Sequence, residues 1–420
     1  MAWQIHWAWV ILFASFATHF TNYSIRLSYG ILMPEMIKSL GITKAQAGSI
    51  ASSFYLTYTI FSPLLGFLVD RHSVRKLLVF FCLIYGLGTF LMSKPASLSQ
   101  ACLFFAIAGL GSSVLWTSVN TLLQRWFAFK RRGMVLGILS TASALAFGVM
   151  GLAIPFWIAR YDWRTCWLLL SSLAFALVPL NALLLRTRPQ DLNLRPWGDE
   201  PALPAMTRPE EARVGLGYRE MLKLRNLWVG GISYFFISFS LYIMINFIVT
   251  YGNLELKLSY PEASRLASAF AFSGFFGTLF IPALSDSLGR QRCLILLCMF
   301  VASGILLIVW AGRNPSALFA TVCILGFFFQ AAWPMYAAAA RDFFPPEATG
   351  AVLGFWTALY GVGAILAPVL GGYIADILGT FTRSFFLAAA SAALAGFFFS
   401  FISAKRKSPD LRQSHFSEKE

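Results

Sequence analysis

Charged residues are scarce in this chain of 420 residues. They make up 12% of it, whereas ordinary soluble proteins carry about 25%. Hydrophobic residues reach 58%, aromatic residues reach 16%, and the mean hydropathy is +0.68. A soluble fold of this length could not keep so much apolar surface out of water. The scarcity of charge therefore excludes a soluble protein and predicts an all-α integral membrane protein that crosses the bilayer many times.

Negative charge is scarcer than positive charge. The chain has 18 Asp and Glu against 33 Lys and Arg, which leaves a formal net charge of +15. A nucleic-acid-binding protein would gather its bases on a soluble face, but here they lie in short segments between apolar runs. No acidic residue lies near the middle of an apolar run. We therefore expect no nucleic-acid partner and attribute the positive charge to membrane topology.

Motifs for catalysis and metal binding are also missing. The six cysteines have neither a CxxC spacing nor a histidine nearby, which is typical of reduced core thiols. There is no P-loop, zinc pattern or nucleophile motif, and the polar loops are too short for a catalytic domain. We therefore predict no enzyme activity, no catalytic residues, no metal and no cofactor. The first apolar run is too long for a signal peptide and should remain as the first span.

Twelve apolar runs are long enough to cross a bilayer as helices. They cover residues 7–33, 45–69, 77–93, 98–124, 133–159, 164–185, 226–252, 263–287, 293–311, 316–339, 348–378 and 382–402. The expected domains are an N-terminal six-helix bundle (1–185), a cytoplasmic central loop (186–225), a C-terminal six-helix bundle (226–403) and a cytoplasmic tail (404–420). The bilayer is thus one partner, and we expect a monomer.

The basic residues predict how the chain is oriented in the membrane. With both termini inside, the inner segments hold 23 Lys and Arg and the outer loops hold nine. Because positive residues stay on the cytoplasmic side, both termini are predicted to be cytoplasmic. We expect a multi-pass protein of the plasma membrane, which in a bacterium is the inner membrane.

The two halves of the chain repeat. Asp70 and Asp286 each end the second span of their half, and Arg125 and Arg341 are separated by the same distance along the sequence. Gly137 and Gly354 have almost the same separation. Internal repeats are common in secondary transporters, which bind substrate near the membrane midplane between the repeats.

The repeated loop carries a resemblance to a known family. GFLVDRHSVRK (66–76) resembles the G-x-L-x-D-R-x-G-R-K loop of the major facilitator superfamily, with Ser73 in place of the loop glycine. PALSDSLGRQR (282–292) is its second copy, with Pro282 and Ser287 replacing a glycine and an arginine, and GAILAPVLGG (363–372) is similar to a span 11 motif of that superfamily. The resemblance implies two pseudo-symmetric six-helix bundles around a central cavity lined by spans 1, 4, 7 and 10.

An acid at a helix end beside a basic loop can hold two helices together in one conformation and release them in another. We therefore predict a gating role for this repeated motif, with incidental basic topology as the alternative. The candidate gating residues are Asp70, Arg71, Arg75, Asp286 and Arg290.

Arg26 is the one charge well inside a span. It lies about 9 Å beyond the middle of the first run at 1.5 Å per residue, where burial of an arginine costs about 2.5–3.5 kcal/mol. His19, Asn22, Tyr23 and Tyr29 share its helix face, which predicts an aqueous cavity and an anionic substrate. Snorkelling of Arg26 to the interface and a structural hydrogen bond are the alternatives. His19 is the one histidine within a span and could carry a coupling proton, or it could be a neutral hydrogen-bonding group.

NYSIRLSYGILMPEM (22–36) resembles the first span of organophosphate–phosphate antiporters, in which an arginine eight residues before a proline binds phosphate; here these are Arg26 and Pro34. Those antiporters carry a second arginine in span 7, where this chain has no base. RWFAFKRRGMVLG (125–137) and RTRPQDLNLRPWGD (186–199) are similar to loops of monocarboxylate porters and oxalate–formate antiporters, although the bases of those families in spans 8 and 11 are absent. A single arginine suits a monoanion better than a phosphate dianion.

Polar and aromatic residues on the other cavity-lining spans complete the candidate substrate site. They are Trp116, Asn120, Tyr242, Asn246, Gln330, Trp333, Tyr336, Trp356 and Tyr360, for each of which a hydrogen bond between helices is an alternative role. We predict a secondary active transporter of a small organic anion, a monocarboxylate, coupled to a proton or a counter-anion. The alternatives are a phosphate-ester/phosphate antiporter, an exporter of a neutral drug-like solute, and a transporter-like sensor.

Overall fold

The computed structural model describes residues 6–199, 218–312, 314–345 and 348–403, without the side chains of Phe67, Asp70, Tyr218 and Arg219. Residues 200–217 of the predicted central loop and all of the predicted tail therefore lie outside the described residues. The helices of the first half are α1 (Trp7–Leu40), α2 (Lys44–Arg71), α3 (Val74–Leu91), α4 (Leu98–Ser112), α5 (Leu115–Trp126), α6 (Phe129–Arg160) and α7 (Trp163–Leu184). Those that follow are α8 (Tyr218–Met221), α9 (Arg225–Thr250), α10 (Tyr260–Leu288), α11 (Arg290–Ala311), α12 (Pro315–Phe329), α13 (Ala332–Phe343), α14 (Thr349–Ile377) and α15 (Phe381–Ser400).

Twelve membrane-spanning helices form within the described residues, as the apolar runs predicted, with α4 and α5 making one span and α12 and α13 making another. Ten of these spans are long and apolar enough by composition alone. The other two, α1 and α2, carry more polar residues; in α1 these include Ser15, Thr18 and Asn22, which are buried against neighbouring helices. Helix α1 extends beyond the predicted end at residue 33 to Leu40 and is capped by Gly41, whose φ of 61° is left-handed and suits glycine.

Two of the predicted spans are broken at equivalent places. α4 ends at Ser112 and α5 begins at Leu115, while α12 ends at Phe329 and α13 begins at Ala332. The first residues after the helix ends, Ser113 and Gln330, have the same separation along the sequence as the repeated glycines Gly137 and Gly354. At Ser113 the backbone N–H donates to the carbonyl of Leu110 (3.3 Å), three residues back rather than four, which tightens the turn.

The two halves meet tightly near one end of the bundle. A Cβ added at Gly48 of α2 would lie 2.0 Å from the carbonyl oxygen of Pro368 in α14, and one at Gly372 of α14 would lie 2.3 Å from the carbonyl of Lys44. A Cβ at Gly30 of α1 would lie 2.5 Å from the carbonyl of Ile245 in α9. Only glycine permits backbones to approach so closely. We call this end of the bundle the closed end.

Polar contacts also join the halves at the closed end. The carboxylate of Asp376 in α14 accepts the backbone N–H groups of Lys44 (3.0 Å) and Ala45 (2.8 Å) in the first turn of α2. An anion is favoured there because the first N–H groups of a helix have no partner within the helix. The hydroxyl of Tyr260 donates to the carbonyl of Ile31 (2.8 Å).

The halves separate toward the opposite end. Gly354 lies two turns before Gly361 and so on the same face of α14, yet a Cβ at Gly354 would meet no atom within 4 Å, whereas one at Gly361 would lie 2.4 Å from Thr59. Gly137 and Gly148 of α6 behave in the same way: a Cβ would meet nothing at the first position and Phe272 of α10 at the second. We call this the open end.

The open end is the one that carries the start of the chain and the beginning of the central segment. The ring of Trp197 lies 5.0 Å from the ring of Trp9 and 5.8 Å from that of Phe127, between centroids. The indole of Trp126 donates to the carbonyl of Arg186 (2.9 Å). By the count of Lys and Arg, this end is the predicted cytoplasmic one.

The gating motif is partly visible at the open end. In the second copy, Arg290 pairs with Asp286 (2.5 Å) and with Asp342 (2.9 Å), which ties together α10, α11 and α13 of one half. In the first copy, the side chain of Asp70 lies outside the described residues, and Arg71 and Arg75 stand at the α2–α3 connection. The ion pairs of Arg290 thus lie within one half in this conformation, and the gating role stays a prediction.

Candidate functional site

Arg26 lies at the seam between the two halves and is only 6% exposed. Its Nη2 donates a hydrogen bond to the hydroxyl of Tyr242 on α9, in the other half. Its Nε finds no hydrogen-bond partner among the described residues, and no salt bridge to Arg26 forms within that part of the chain. The guanidinium therefore keeps its positive charge without a neutralising acid.

Five aromatic rings surround this charge; we call them the aromatic cage. The guanidinium carbon Cζ lies 4.9 Å from the ring centroids of both Tyr55 and Tyr58, 5.5 Å from Tyr23, 5.7 Å from Tyr242 and 5.8 Å from Phe54. Rings at such distances stabilise a cation through their quadrupoles. Because four of the five are tyrosines, the cage also offers hydroxyl groups that can donate hydrogen bonds to an anion.

The second half of the protein contributes one more ring beside the cage. Tyr360 on α14 lies 5.8 Å from the ring of Tyr242 and 4.6 Å from that of Tyr234. Like Tyr23 and Tyr58, Tyr360 is half-buried, so part of its surface faces open space. The site is thus built from both halves.

A line of rings leads from the cage toward the open end. The imidazole of His19 lies 4.7 Å from the ring of Tyr23 and 4.8 Å from that of Trp116 on α5. Trp116 in turn meets Trp333 on α13, edge to face, at 5.6 Å. His19 is buried, and its Nδ1 has no hydrogen-bond partner among the described residues.

Seven of the predicted site residues therefore come together: Arg26, Tyr23, His19, Trp116, Tyr242, Trp333 and Tyr360. The sequence analysis missed three cage residues on α2, namely Phe54, Tyr55 and Tyr58. Their signal was available, since residues three and four apart share a helix face and Phe54, Tyr55 and Tyr58 have these spacings. They were missed because α2 is not among the spans expected to line the cavity.

Asn246 is an eighth predicted residue at the site, because its side chain donates to the carbonyl of Tyr242 (2.7 Å) and also bonds the cage residue Tyr55 of the other half. The remaining predicted substrate-site residues make contacts within one half, and we leave them out of the proposed site. Asn22 accepts from Ser112 (2.7 Å), Tyr29 donates to the carbonyl of Ala47 (2.6 Å), Tyr336 bonds Ser233 (2.5 Å), and Trp356 donates to the carbonyl of Leu227 (2.8 Å). Asn120 accepts from Gln124 (3.1 Å), and the side chain of Gln330 lies against Gly274. Hydrogen bonds of this kind hold membrane helices together.

Comparisons with known proteins place this site in context. Residues 11–314 and 232–419 match the model of the Major Facilitator Superfamily. The nucleoside transporter NupG, in a solved structure of a point mutant, is 15% identical with a TM-score of 0.74 over 93% of this chain and 99% of that one. At this level of identity the likeness shows the fold.

Several curated relatives are similar over nearly their whole length. The hexuronate transporter of Bacillus subtilis (strain 168) is 24% identical over 92% of each chain. A probable hexose phosphate transport protein of Chlamydia pneumoniae is 26% identical over 91% of this chain and 88% of its own. Monocarboxylate transporter 14 of Mus musculus is 21% identical over 91% and 87%. With the family model matched along both halves, this multi-pass membrane chain belongs to the Major Facilitator Superfamily and resembles its organic-anion porters.

Proposed function

We propose that this protein is a secondary active transporter that moves a small monocarboxylate across the membrane by alternating access, together with a proton. The observation that carries the proposal is Arg26, a buried cation held by rings and a hydroxyl rather than by an acid. At 4 Å and an effective dielectric constant near 20, a carboxylate would gain about 4 kcal/mol of attraction to it before desolvation.

The position of Arg26 suits alternating access. Arg26 belongs to the first half and its partner Tyr242 to the second, so an anion bound there touches both halves at once. The two halves pack tightly at the closed end and separate toward the open end, as the clearances at Gly48 and Gly354 indicate. Binding at such a seam can favour one arrangement of the halves over another, which is what transport requires.

The number of cations favours a monocarboxylate over a phosphate ester. In the sequence, every Lys and Arg other than Arg26 lies in a loop or near a helix end. A phosphate dianion bound at this depth would leave one negative charge unpaired in a low-dielectric site, which is costly. The relatives named above are described as transporting a hexuronate, a hexose phosphate or a monocarboxylate, which are all anions.

His19 is our candidate for the proton. It lies between the cage and the open end, against Tyr23 and Trp116, and its Nδ1, which has no hydrogen-bond partner among the described residues, offers a position for a proton. One proton carried with one monoanion moves no net charge. His19→Gln should therefore weaken the dependence of uptake on a pH gradient while leaving anion binding in place.

Uptake by proteoliposomes tests the proposal. Radiolabelled monocarboxylates are offered to wild type, Arg26→Ala and Arg26→Lys, with and without an inward-directed proton gradient. Arg26→Ala should lose at least about 2 kcal/mol of binding, a roughly thirtyfold rise in Kd, and Arg26→Lys should restore little because it lacks the planar fork of donors.

Arg160→Lys is the matched control, since it makes the same exchange at an exposed arginine that stacks on Phe156. It should leave uptake unchanged. If the affinity of Arg26→Ala for the anion stays within about twofold of wild type, the binding free energy changes by less than about 0.4 kcal/mol. The assignment of Arg26 as the anion-binding residue is then wrong. A neutral-solute transporter would then be the better interpretation.

A further inference from the structure

Trp116 and Trp333 form an aromatic pair across the seam of the protein. Their ring centroids lie 5.6 Å apart with the planes at 89°. Trp116 comes three residues after Ser113 and Trp333 comes three residues after Gln330, so each holds the same place relative to the break in its span. The two indoles are therefore equivalent residues of the two halves, brought into contact near the axis that relates them.

This contact differs from the packing of the buried tryptophans. Trp126, Trp167 and Trp356 are fully buried, with an exposed fraction of 0%. Trp116 is half-buried, and Trp333 is 39% exposed. An edge-to-face pair that keeps this much surface open, on two different halves, borders open space instead of filling the core of one half.

The pair lies between Arg26, to which the proposed function assigns the carboxylate, and the open end. His19, whose ring is 4.8 Å from that of Trp116, stands seven residues before Arg26 on α1, which is about 10 Å along the helix axis at 1.5 Å per residue. The rings of Tyr23 and His19 lie along α1 between Arg26 and Trp116. When the carboxylate of a substrate binds Arg26 and the rest of the molecule extends toward the open end, that part would thus lie along aromatic rings before it reaches the indoles.

From this geometry we infer that Trp116 and Trp333 act as a length filter, which selects monocarboxylates with a compact apolar or aromatic body. The inference rests on the proposed function, because it places the carboxylate on Arg26. Arg26 and His19 are about 10 Å apart along the axis of α1, and this is the length that we assign to a carboxylate carrying one aromatic ring. A longer body collides with the two indoles and is disfavoured. Trp116 and Trp333 therefore limit the length of the substrate, and Arg26 does not.

The test compares three probes of increasing length: benzoate, 3-phenylpropanoate and 5-phenylpentanoate. Proteoliposomes with wild type, Trp116→Ala, Trp333→Ala and Trp333→Phe are supplied with each radiolabelled acid. Wild type should prefer benzoate. Each alanine variant should raise the ratio of 5-phenylpentanoate to benzoate uptake by at least about tenfold, and Trp333→Phe, which keeps one ring, should raise it by less.

Both uptake rates are measured on the same variant, so a loss of folded protein lowers both and leaves their ratio unchanged. A purely structural role of the tryptophans would therefore not change the ratio. Trp310→Ala, at a tryptophan that is 84% exposed on α11, is the matched control and should keep the wild-type ratio. If wild type takes up benzoate through Arg26 but both alanine variants keep its length preference, the filter is refuted while the proposed function stands. If wild type takes up none of the three acids, the filter is refuted, and the proposed function is decided separately by uptake of other monocarboxylates in wild type and Arg26→Ala.

Discussion

Gly48 offers the most direct test of how the closed end is sealed. A Cβ at this position would lie 2.0 Å from the carbonyl oxygen of Pro368, whereas ordinary van der Waals contact begins at 3.4 Å. Gly48→Ala therefore forces α2 and α14 apart by more than 1 Å in the present conformation. Overpacking of this kind costs about 1–3 kcal/mol, which lowers the population of this conformation relative to the opposite one by about 5- to 150-fold.

The assay is a distance measurement between spin labels on Ser39 and Leu378, two exposed positions at the closed end, with the protein in lipid nanodiscs. Gly48→Ala should add a population at longer distance. Gly354→Ala is the matched control, because its Cβ meets no atom within 4 Å in this conformation, and it should keep the wild-type distribution. Identical distributions for Gly48→Ala and wild type would show that the halves do not close through this contact.

Two further predictions concern the gate and the orientation. Asp70→Asn should lower the transport rate while leaving expression and anion binding in place, because the repeated motif is expected to bias the two conformations; a wild-type rate in proteoliposomes would contradict that role. A cysteine introduced between residues 186 and 225 should not react with an impermeant thiol reagent added to intact cells, because that segment is expected to be cytoplasmic; labelling from outside would reverse the predicted topology.

The fold could be predicted closely because membrane helices leave a strong signal in sequence. Runs of about 20 apolar residues have few other structures open to them in a bilayer. The repeat offset then related the halves before any contact was known. The breaks at Ser113 and Gln330 could not be predicted, because neither position has a proline or a run of glycines. At Ser113 the change is one of hydrogen-bond geometry, which the sequence does not show.

The candidate site was predicted less completely, for a physical reason. Arg26 stands out in sequence because its charge is costly at that depth, and its immediate neighbours on α1 could be read from helical spacing. Tyr55 and Tyr58 carry no such cost, since tyrosines are common in membrane helices. Conversely, Tyr29 and Trp356 look like site residues in the sequence, because they are polar aromatic residues within spans. Their hydrogen bonds to the carbonyls of Ala47 and Leu227 assign them to helix packing.

Under the proposed function, an anion site needs a cation that no acid neutralises, and no acid lies beside Arg26 among the described residues. A carboxylate next to the guanidinium would stabilise it but would also occupy the place of the substrate. Aromatic rings stabilise a cation by about 0.5–2 kcal/mol each, according to how far the pair is desolvated, and leave its charge unneutralised. The hydroxyl of Tyr242 satisfies one donor in the same way, and Nε remains free within that part of the chain. Under the proposed function, the cage thus keeps Arg26 tolerable in the membrane while its attraction for an anion is preserved.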